Sequence, residues 1–259
     1  MSPRANRYMQ DNYVYHLTAR CHDRSFLFKF ARWRDEYRRR LRTALPRSGV
    51  WLLGECVTSN HVHLLVTARN RGAVSSLMQK LQGEFAECYN IKKRRSGGFW
   101  EGRYHCTIVQ SGHHLWSCIL YIDLNMVRAG VVGHPAEWPH CSYDEHVGTR
   151  QRYRLLNIPR LIELTESGGE QEFRRDYVDA LDELLRIGDM RREPQWTESI
   201  AVGDREFVME VAERVKARVK LVITENDTGG WLLREAGPAG TRIAAPGRLD
   251  LYDGAVLIR

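Results

Sequence analysis

The first 110 residues contain four short segments with the hydrophobic pattern of β-strands. They are YVYHLTAR (13–20), VWLLGECV (50–57), HVHLLVTA (61–68) and RYHCTIVQ (103–110). Alternation with a period of two, or a short apolar run bounded by turn residues, is typical of strands. The middle two are separated only by Thr-Ser-Asn at 58–60, which predicts a hairpin.

Three further segments repeat their apolar residues at helical spacing. They are ARWRDEYRRRLRTAL (31–45), AVSSLMQKLQGEFAECYNIKKR (73–94) and residues 112–128, the last followed by Gly130 in a position that suits a C-terminal cap. The order strand–helix–strand–strand–helix–strand, followed by a helix, is that of the split β-α-β unit. We therefore predict an α+β fold with a ferredoxin-like antiparallel sheet and helices on one of its faces.

The pattern changes near residue 150. Residues 161–186 and 204–220 each have the spacing of a helix, and the Gly/Pro-rich end, 229–259, predicts short strands or loop. We predict one domain over residues 1–150 and a mostly helical C-terminal extension over 151–259. Its role is not evident from its residues, and one hypothesis is that part of it covers the functional site.

Basic residues are concentrated in the predicted first domain. The whole chain has 39 Lys and Arg against 32 Asp and Glu, a formal net charge of +7. Residues 1–150 hold 22 Lys and Arg against 12 Asp and Glu, so the extension is slightly acidic. Positive charge confined to one domain favours a polyanionic partner, although a basic surface that only aids solubility has the same composition.

The sequence contains no evident signal for export or membrane insertion. The N-terminus lacks the apolar segment of a signal peptide, and no apolar run approaches the roughly 18 residues of a membrane span. Six cysteines are scattered without a CxxC pair, which is typical of reduced, packed thiols. We expect a cytoplasmic protein that does not bind membranes.

Two histidines, His61 and His63, lie one residue apart in the third predicted strand. Side chains alternate between the two faces of a strand, so both imidazoles point to the same face. Such a pair supplies part of a metal site, although a strand histidine is more often a core residue. A nucleotide hydrolase with His-x-His-x-His would need a third histidine where this chain has Leu65, and paired His-x-Thr motifs of a phosphoesterase are absent.

The helix predicted over 112–128 carries a row of polar residues between two apolar stripes. Tyr121 and Asn125 are one turn apart and therefore share a face. A helix held on both sides keeps such a row in fixed register, which suits a reactive site, but a half-buried polar pair has the same spacing. The row consists of His114, Ser117, Tyr121, Asn125 and Arg128.

Taken together, the motifs resemble a known family. Residues 8–146 are similar to single-tyrosine (Y1) transposases of the IS200/IS605 type, most of all to REP-associated tyrosine transposases. These are HUH enzymes, named for histidine–hydrophobic–histidine, here His61-Val62-His63. The family usually has Tyr-Ile-His-x-Asn-Pro where this chain has Asp123 and Met126. The motifs that carry the resemblance are YVYHLTAR, SNHVHLLV, LMQKLQGEFAECYN, FWEGRYH and YIDLNMVRAGVV.

The resemblance implies a function and a role for each motif residue. It implies a metal-dependent single-stranded DNA endonuclease and strand transferase that acts on hairpin-containing, REP-like DNA through a 5′-phosphotyrosine intermediate. Tyr121 is implied as the catalytic nucleophile. His61, His63 and Asn125 are implied as ligands of a divalent ion, Mg²⁺ or Mn²⁺, that neutralises charge at the phosphate. The implied partner is single-stranded or hairpin DNA, and the protein is expected to be a monomer or a homodimer.

Basic residues near these motifs are candidates for contact with DNA. They are Lys92, Lys93, Arg94, Arg95, Arg103 and Arg128. The first four precede Phe99 and Trp100, and phosphate neutralisation with base stacking commonly holds single strands. For the two aromatic residues we favour a place in the core. The two arginines next to the transposase motifs are the stronger candidates.

Two other functions are compatible with the sequence. A catalytically weak or inactive module of the same fold would bind single-stranded or hairpin DNA without cutting it, because Asp123 and Met126 alter the helix that carries Tyr121. An RRM-like RNA-binding domain has a similar strand order. Such domains place aromatic residues on an open sheet face, where this chain has His61 and His63. Metal-dependent covalent trapping of DNA distinguishes the enzyme from both.

Overall fold

The computed structural model describes residues 8–215, 220–227, 229–236 and 256–258. Its strands are β1 (Val14–Arg20), β2 (Val50–Val57), β3 (His61–Ala68), β4 (His105–Val109), β5 (Ala201–Gly203), β6 (Leu221–Glu225), β7 (Trp231–Glu235) and β8 (Val256–Ile258). Its helices are α1 (Ala31–Ala44), α2 (Arg71–Lys93), α3 (His113–Asp123), α4 (Asn125–Arg128), α5 (Tyr143–His146), α6 (Ile158–Thr165), α7 (Glu170–Ile187), α8 (Gln195–Glu198) and α9 (Arg205–Arg214). None of the helices in the described residues has the length and hydropathy needed to cross a membrane.

The predicted strands of the first domain form one antiparallel sheet in the order β2-β3-β1-β4. The central strand β1 pairs with β3, where Arg20 lies opposite His61, and with β4, where His16 lies opposite Thr107. In the hairpin turn the Thr58 hydroxyl accepts a hydrogen bond from the His61 amide at 3.0 Å. The strand order is that of the split β-α-β unit, so the predicted fold class is confirmed.

Helices cover both faces of the sheet, so the prediction of helices on one face is wrong. α1 and α2 pack on one face, where Tyr37 and Phe85 are buried. α3, α6 and α7 pack on the other, where Phe173 and Tyr177 are buried. α3 therefore contacts the sheet on one side and the extension on the other. This position explains why it has two apolar stripes.

The helix predicted over 112–128 is interrupted once. α3 ends at Asp123 and α4 begins at Asn125, with Leu124 between them at φ −78° and ψ 2°. Gly130 follows with φ +66°, the left-handed conformation expected of a glycine that ends a helix. The predicted end of the segment is therefore confirmed.

The C-terminal extension continues the sheet of the first domain. β5 pairs in parallel with β4, and β7, β6 and β8 follow in antiparallel order. Helices still make up most of its regular structure, but residues 161–186 are not one helix, since Glu166 has φ +58° and separates α6 from α7. The helix predicted over 204–220 is observed from Arg205 to Arg214, and residues 216–219 of that segment lie outside the described part. The described residues in 229–259 form β7 and β8, and residues 237–255 lie outside the described part. The boundary near residue 150 stays a prediction.

Candidate active site

Four predicted site residues meet where β3 faces the junction of α3 and α4. His61 and His63 lie on one face of β3, with ring centroids 4.8 Å apart. The ring of Tyr121 lies edge-on to that of His63, with 5.9 Å between centroids. Asn125 places Nδ2 3.1 Å from Nε2 of His63. Two segments that are distant in sequence therefore form one polar cluster.

Neighbouring polar groups orient both imidazoles. Nδ1 of His61 lies 2.7 Å from Oδ1 of Asn60 and 2.9 Å from the Thr58 hydroxyl. Nδ1 of His63 lies 2.8 Å from Nε2 of His16 on β1. In a neutral imidazole a proton on Nδ1 leaves Nε2 with an unshared electron pair. The Asn60 contact therefore leaves the unshared pair on Nε2 of His61.

Burial keeps these imidazoles neutral. His16 is 0% exposed and His63 is 1% exposed. Burial lowers the pKa of His61 to about 4 and that of His16 to about 3. The pKa of His63 lies well below its ordinary value because of burial and of the neighbouring His61 and His16. Neutral imidazole is the form that binds metal ions.

The residues of the cluster fit a divalent ion. Two imidazole nitrogens and the Oδ1 atom of Asn125 form a mixed donor set suited to Mg²⁺ or Mn²⁺ with additional oxygen ligands, once the Asn125 amide turns its Nδ2 away from His63. Among the described residues no group of three or more His, Cys, Asp or Glu side chains has the geometry of a metal site. The candidate site therefore requires the Asn125 amide. Opposite His63, the buried hydroxyl of Thr18 has no hydrogen-bond partner within the described part of the chain.

Tyr121 is covered by a segment of the extension, residues 193–196, which we call the covering segment. Burial raises the pKa of Tyr121 to about 12, against the opposing effect of the Arg128 cation. The Arg128 guanidinium lies 4.7 Å from the centre of the Tyr121 ring and donates to the Glu193 carboxylate at 2.9 Å. The Trp196 ring lies 6.1 Å from that of Tyr121. As a result, Tyr121 is only 6% exposed.

The two residues that depart from the family pattern, Asp123 and Met126, are both buried. The Asp123 carboxylate accepts hydrogen bonds from His146 Nδ1 at 2.6 Å, the Tyr177 hydroxyl at 2.7 Å and the Ser142 amide at 3.1 Å. Met126 is 3% exposed and belongs to the core. Both departures from the family pattern therefore serve packing.

The other basic candidates lie around the end of α2 and before β4. Exposed among them are Lys92, Lys93, Arg94 and Arg103. Arg95 instead braces the loop by donating to Asn90 Oδ1 and the Gly98 carbonyl. Phe99 is buried and Trp100 donates to a main-chain carbonyl of α2, which supports the core interpretation. Trp100 in this loop forms a β-bridge with Cys21, which follows the last residue of β1, and Arg20 of β1 pairs with His61. These cations therefore lie at the same end of the sheet as His61.

Three residues of the cluster are missing from the sequence prediction. His16 is a buried polar residue of β1 that bonds His63, and its place on the same strand face as Val14 was the available signal. Glu193 and Trp196 reach the site from the extension. No local motif marks either of them.

Comparisons with known proteins support the resemblance. Residues 9–124 match the family model for IS200-like transposases. A solved structure of a REP-associated tyrosine transposase bound to a REP hairpin is similar in fold, with a TM-score of 0.50 and 16% identity over 57% of this chain and 86% of that chain. No curated protein sequence matches the chain. The resemblance seen in the motifs is thus confirmed.

Proposed function

We propose that this chain, whose residues 9–124 match the IS200-like transposases, is a metal-dependent endonuclease and strand transferase for single-stranded DNA. It acts through a 5′-phosphotyrosine intermediate, on DNA that contains a REP-like hairpin. The hairpin substrate is suggested by the solved REP-associated transposase with similar fold, which is bound to such DNA.

One observation carries the proposal, the convergence of a tyrosine with the potential metal ligands. Tyr121 lies edge-on to His63, and Asn125 lies 3.1 Å from the Nε2 atom of the same histidine. A core tyrosine and a core histidine have no need of an adjacent amide and a cation. Here both are present, since Arg128 lies over the Tyr121 ring.

In the proposed reaction the phenolic oxygen of Tyr121 attacks a phosphodiester. A new bond forms between this oxygen and phosphorus, and the bond from phosphorus to the 3′-oxygen breaks. The tyrosine proton passes to water, and the departing 3′-oxygen takes up a proton to give a 3′-hydroxyl. A divalent ion bound by His61, His63 and Asn125 would neutralise charge on the phosphate. Attack by a 3′-hydroxyl on the phosphotyrosine reverses these steps and joins strands.

The protein's own cations assist the nucleophile and the substrate. The charge of Arg128 lowers the pKa of Tyr121 and partly offsets the effect of its burial. When a phosphate enters, the same guanidinium can donate to it in place of the Glu193 carboxylate. The exposed cations at the end of α2 and Arg103 lie at the same end of the sheet and would neutralise neighbouring phosphates.

The burial of Tyr121 favours a second candidate function. A protein that binds hairpin DNA without cutting it would tolerate a covered tyrosine with a pKa of about 12. RNA binding in the manner of an RRM domain is disfavoured, because that mode needs an open sheet face and here both faces carry packed helices.

The decisive experiment is covalent trapping of DNA. The protein is incubated with single-stranded hairpin DNA from its own genomic flanks, labelled at the 5′ or the 3′ end, with Mn²⁺ or with EDTA. We expect a denaturation-resistant adduct that carries only the 3′-labelled fragment, requires the metal and is absent for Tyr121→Phe. Tyr104→Phe, at another buried tyrosine, is the control. Specific binding without an adduct would establish the binding module instead.

A further inference from the structure

We propose that His16 and the main-chain carbonyl of Trp196 position His63, so that the C-terminal extension helps to prepare the metal site. This inference rests on the proposed function only in assigning His63 as a ligand. His16 belongs to β1 and Trp196 to α8, so the relay links the extension to the first domain. In this arrangement His16 is a positioning residue.

The hydrogen bonds form a single chain across four groups. Nδ1 of His16 lies 2.8 Å from the Trp196 carbonyl, and Nε2 of His16 lies 2.8 Å from Nδ1 of His63. Nε2 of His63 in turn lies 3.1 Å from Nδ2 of Asn125. Every contact has hydrogen-bond length, and the first three groups are buried.

Only one placement of protons satisfies this chain. A carbonyl oxygen accepts but cannot donate, so Nδ1 of His16 carries a proton. Nε2 of the neutral His16 ring is then an acceptor, and Nδ1 of His63 must donate to it. The remaining nitrogen of His63, Nε2, has an unshared pair that faces Asn125. The Trp196 carbonyl therefore selects the form of His63 that can bind a metal ion through Nε2.

Packing holds the two imidazoles of the relay and its Trp196 end in place. The ring planes of His16 and His63 are nearly parallel, with an angle of 10° between them, and the two residues lie on the paired strands β1 and β3. The Thr107 hydroxyl lies 3.2 Å from the Trp196 carbonyl, but its single proton goes to the nearer Ser199 carbonyl at 2.8 Å. The indole of Trp196 is 2% exposed and donates to Glu193 at 2.8 Å. The acceptor at the end of the relay is therefore fixed by its own packing.

Three variants separate positioning from general packing. His16→Phe keeps a ring of similar size but offers no acceptor to His63. His16→Gln offers a side-chain oxygen near the place of Nε2. Thr107→Val is the matched control, because it removes a buried hydroxyl beside the Trp196 carbonyl, one that donates to Ser199, and leaves both imidazoles in place.

The first readout is the tautomer of His63 in ¹⁵N NMR spectra, recorded without metal or DNA. We expect the proton on Nδ1 in the native protein, in His16→Gln and in Thr107→Val, and a mixture of both tautomers in His16→Phe. The second readout is the affinity for Mn²⁺ without DNA. We expect a loss of about 10- to 100-fold in His16→Phe, and changes within about threefold in the other two variants.

Three results would overturn the proposal. They are a native His63 with its proton on Nε2, a His16→Phe protein with unchanged tautomer and affinity, and an equal loss in Thr107→Val. If His16→Phe fails to fold, the native tautomer and the His16→Gln variant still decide. A native protein that binds no Mn²⁺ contradicts the metal site in the proposed function, whereas the tautomer readout continues to test the relay.

Discussion

At the residue scale, Asp123 shows how a departure from a family motif can serve packing. It follows Tyr121 by two positions, yet its carboxylate is 1% exposed and bonds groups on α5, α7 and the loop before α5. Burial of a carboxylate is unfavourable unless hydrogen bonds and a cation compensate it. Here His146 supplies the cation, because its pKa is raised by Asp123 against the opposing effect of burial.

Replacing Asp123 should lower the stability of the protein strongly. We expect Asp123→Ala to lower the free energy of unfolding by about 3–5 kcal/mol, since it leaves His146 and Tyr177 without their buried acceptor. Asp176→Ala, on the exposed side of α7, should change it by less than about 0.5 kcal/mol. Urea unfolding measures both. Equal effects would show that the buried carboxylate has no special role.

At the element scale, the covering segment binds the residues that the proposed reaction needs exposed. Glu193 accepts from Arg128 at 2.9 Å and from the Trp196 indole at 2.8 Å. Its carboxylate therefore holds the guanidinium that we expect to bind a phosphate. A DNA strand that reaches Tyr121 has to displace the Glu193 carboxylate from Arg128, while the main-chain carbonyl of Trp196 keeps its contact with His16. The extension thus competes with a DNA phosphate for Arg128, and it also supplies the Trp196 carbonyl that bonds His16.

Glu193→Gln should strengthen DNA binding. The amide keeps an acceptor for the Trp196 indole but loses the charge that attracts Arg128, so a phosphate meets less competition. We expect the affinity for single-stranded hairpin DNA to rise about 3- to 10-fold in fluorescence anisotropy at one fixed salt concentration. Glu198→Gln, which removes the same charge from an exposed pair with Arg192, is the control. Equal gains in both variants would reflect net charge alone.

At the scale of the whole molecule, a buried group of charges joins α1 and β2 to α5 and the residues that follow α5. The Glu55 carboxylate of β2 is fully buried, and Arg38 of α1 approaches it to 2.8 Å. Glu145 and Arg150 also act on it. Burial raises the pKa of Glu55 to about 7, with Arg38 opposing the shift. The folded protein therefore retains a proton on Glu55 that the unfolded chain loses near pH 4.5.

This shift predicts how stability depends on pH. A group whose pKa is higher in the folded state contributes its full stability below the unfolded pKa and loses it as the pH rises through the folded value. Between about pH 5 and pH 8 we expect the free energy of unfolding of the native protein to fall by about 2 kcal/mol relative to Glu55→Gln. Parallel urea titrations of the two proteins measure the difference.

Glu36→Gln provides the control for this dependence. Hydrogen bonds from Arg39 and Arg40 lower the pKa of Glu36 to about 2 against the effect of burial, so it is ionised in both states over this range. This variant should keep the pH dependence of the native protein. Native and Glu55→Gln curves that stay parallel would mean that Glu55 remains ionised in the fold.

The sequence by itself determined the local structure and the composition of the candidate site. The limits of β2 and β3 agree with the predicted segments, because a run of apolar residues between turns is a local property. A strand's period of two placed His61 and His63 on one face, and helical spacing placed Tyr121 and Asn125 together. The motif resemblance then suggested their roles.

Only the tertiary structure decided which groups surround that site. Two faces of the sheet are covered because α3 and the extension return to it, and no hydrophobic period records where a distant segment packs. The contacts of His63 with His16, of Arg128 with Glu193 and of His16 with Trp196 join residues that are 47, 65 and 180 positions apart. Such contacts depend on the packing of the whole chain. The sequence suggested the hypothesis that part of the extension covers the site, but only the structure identified Glu193 and Trp196 there and revealed the relay.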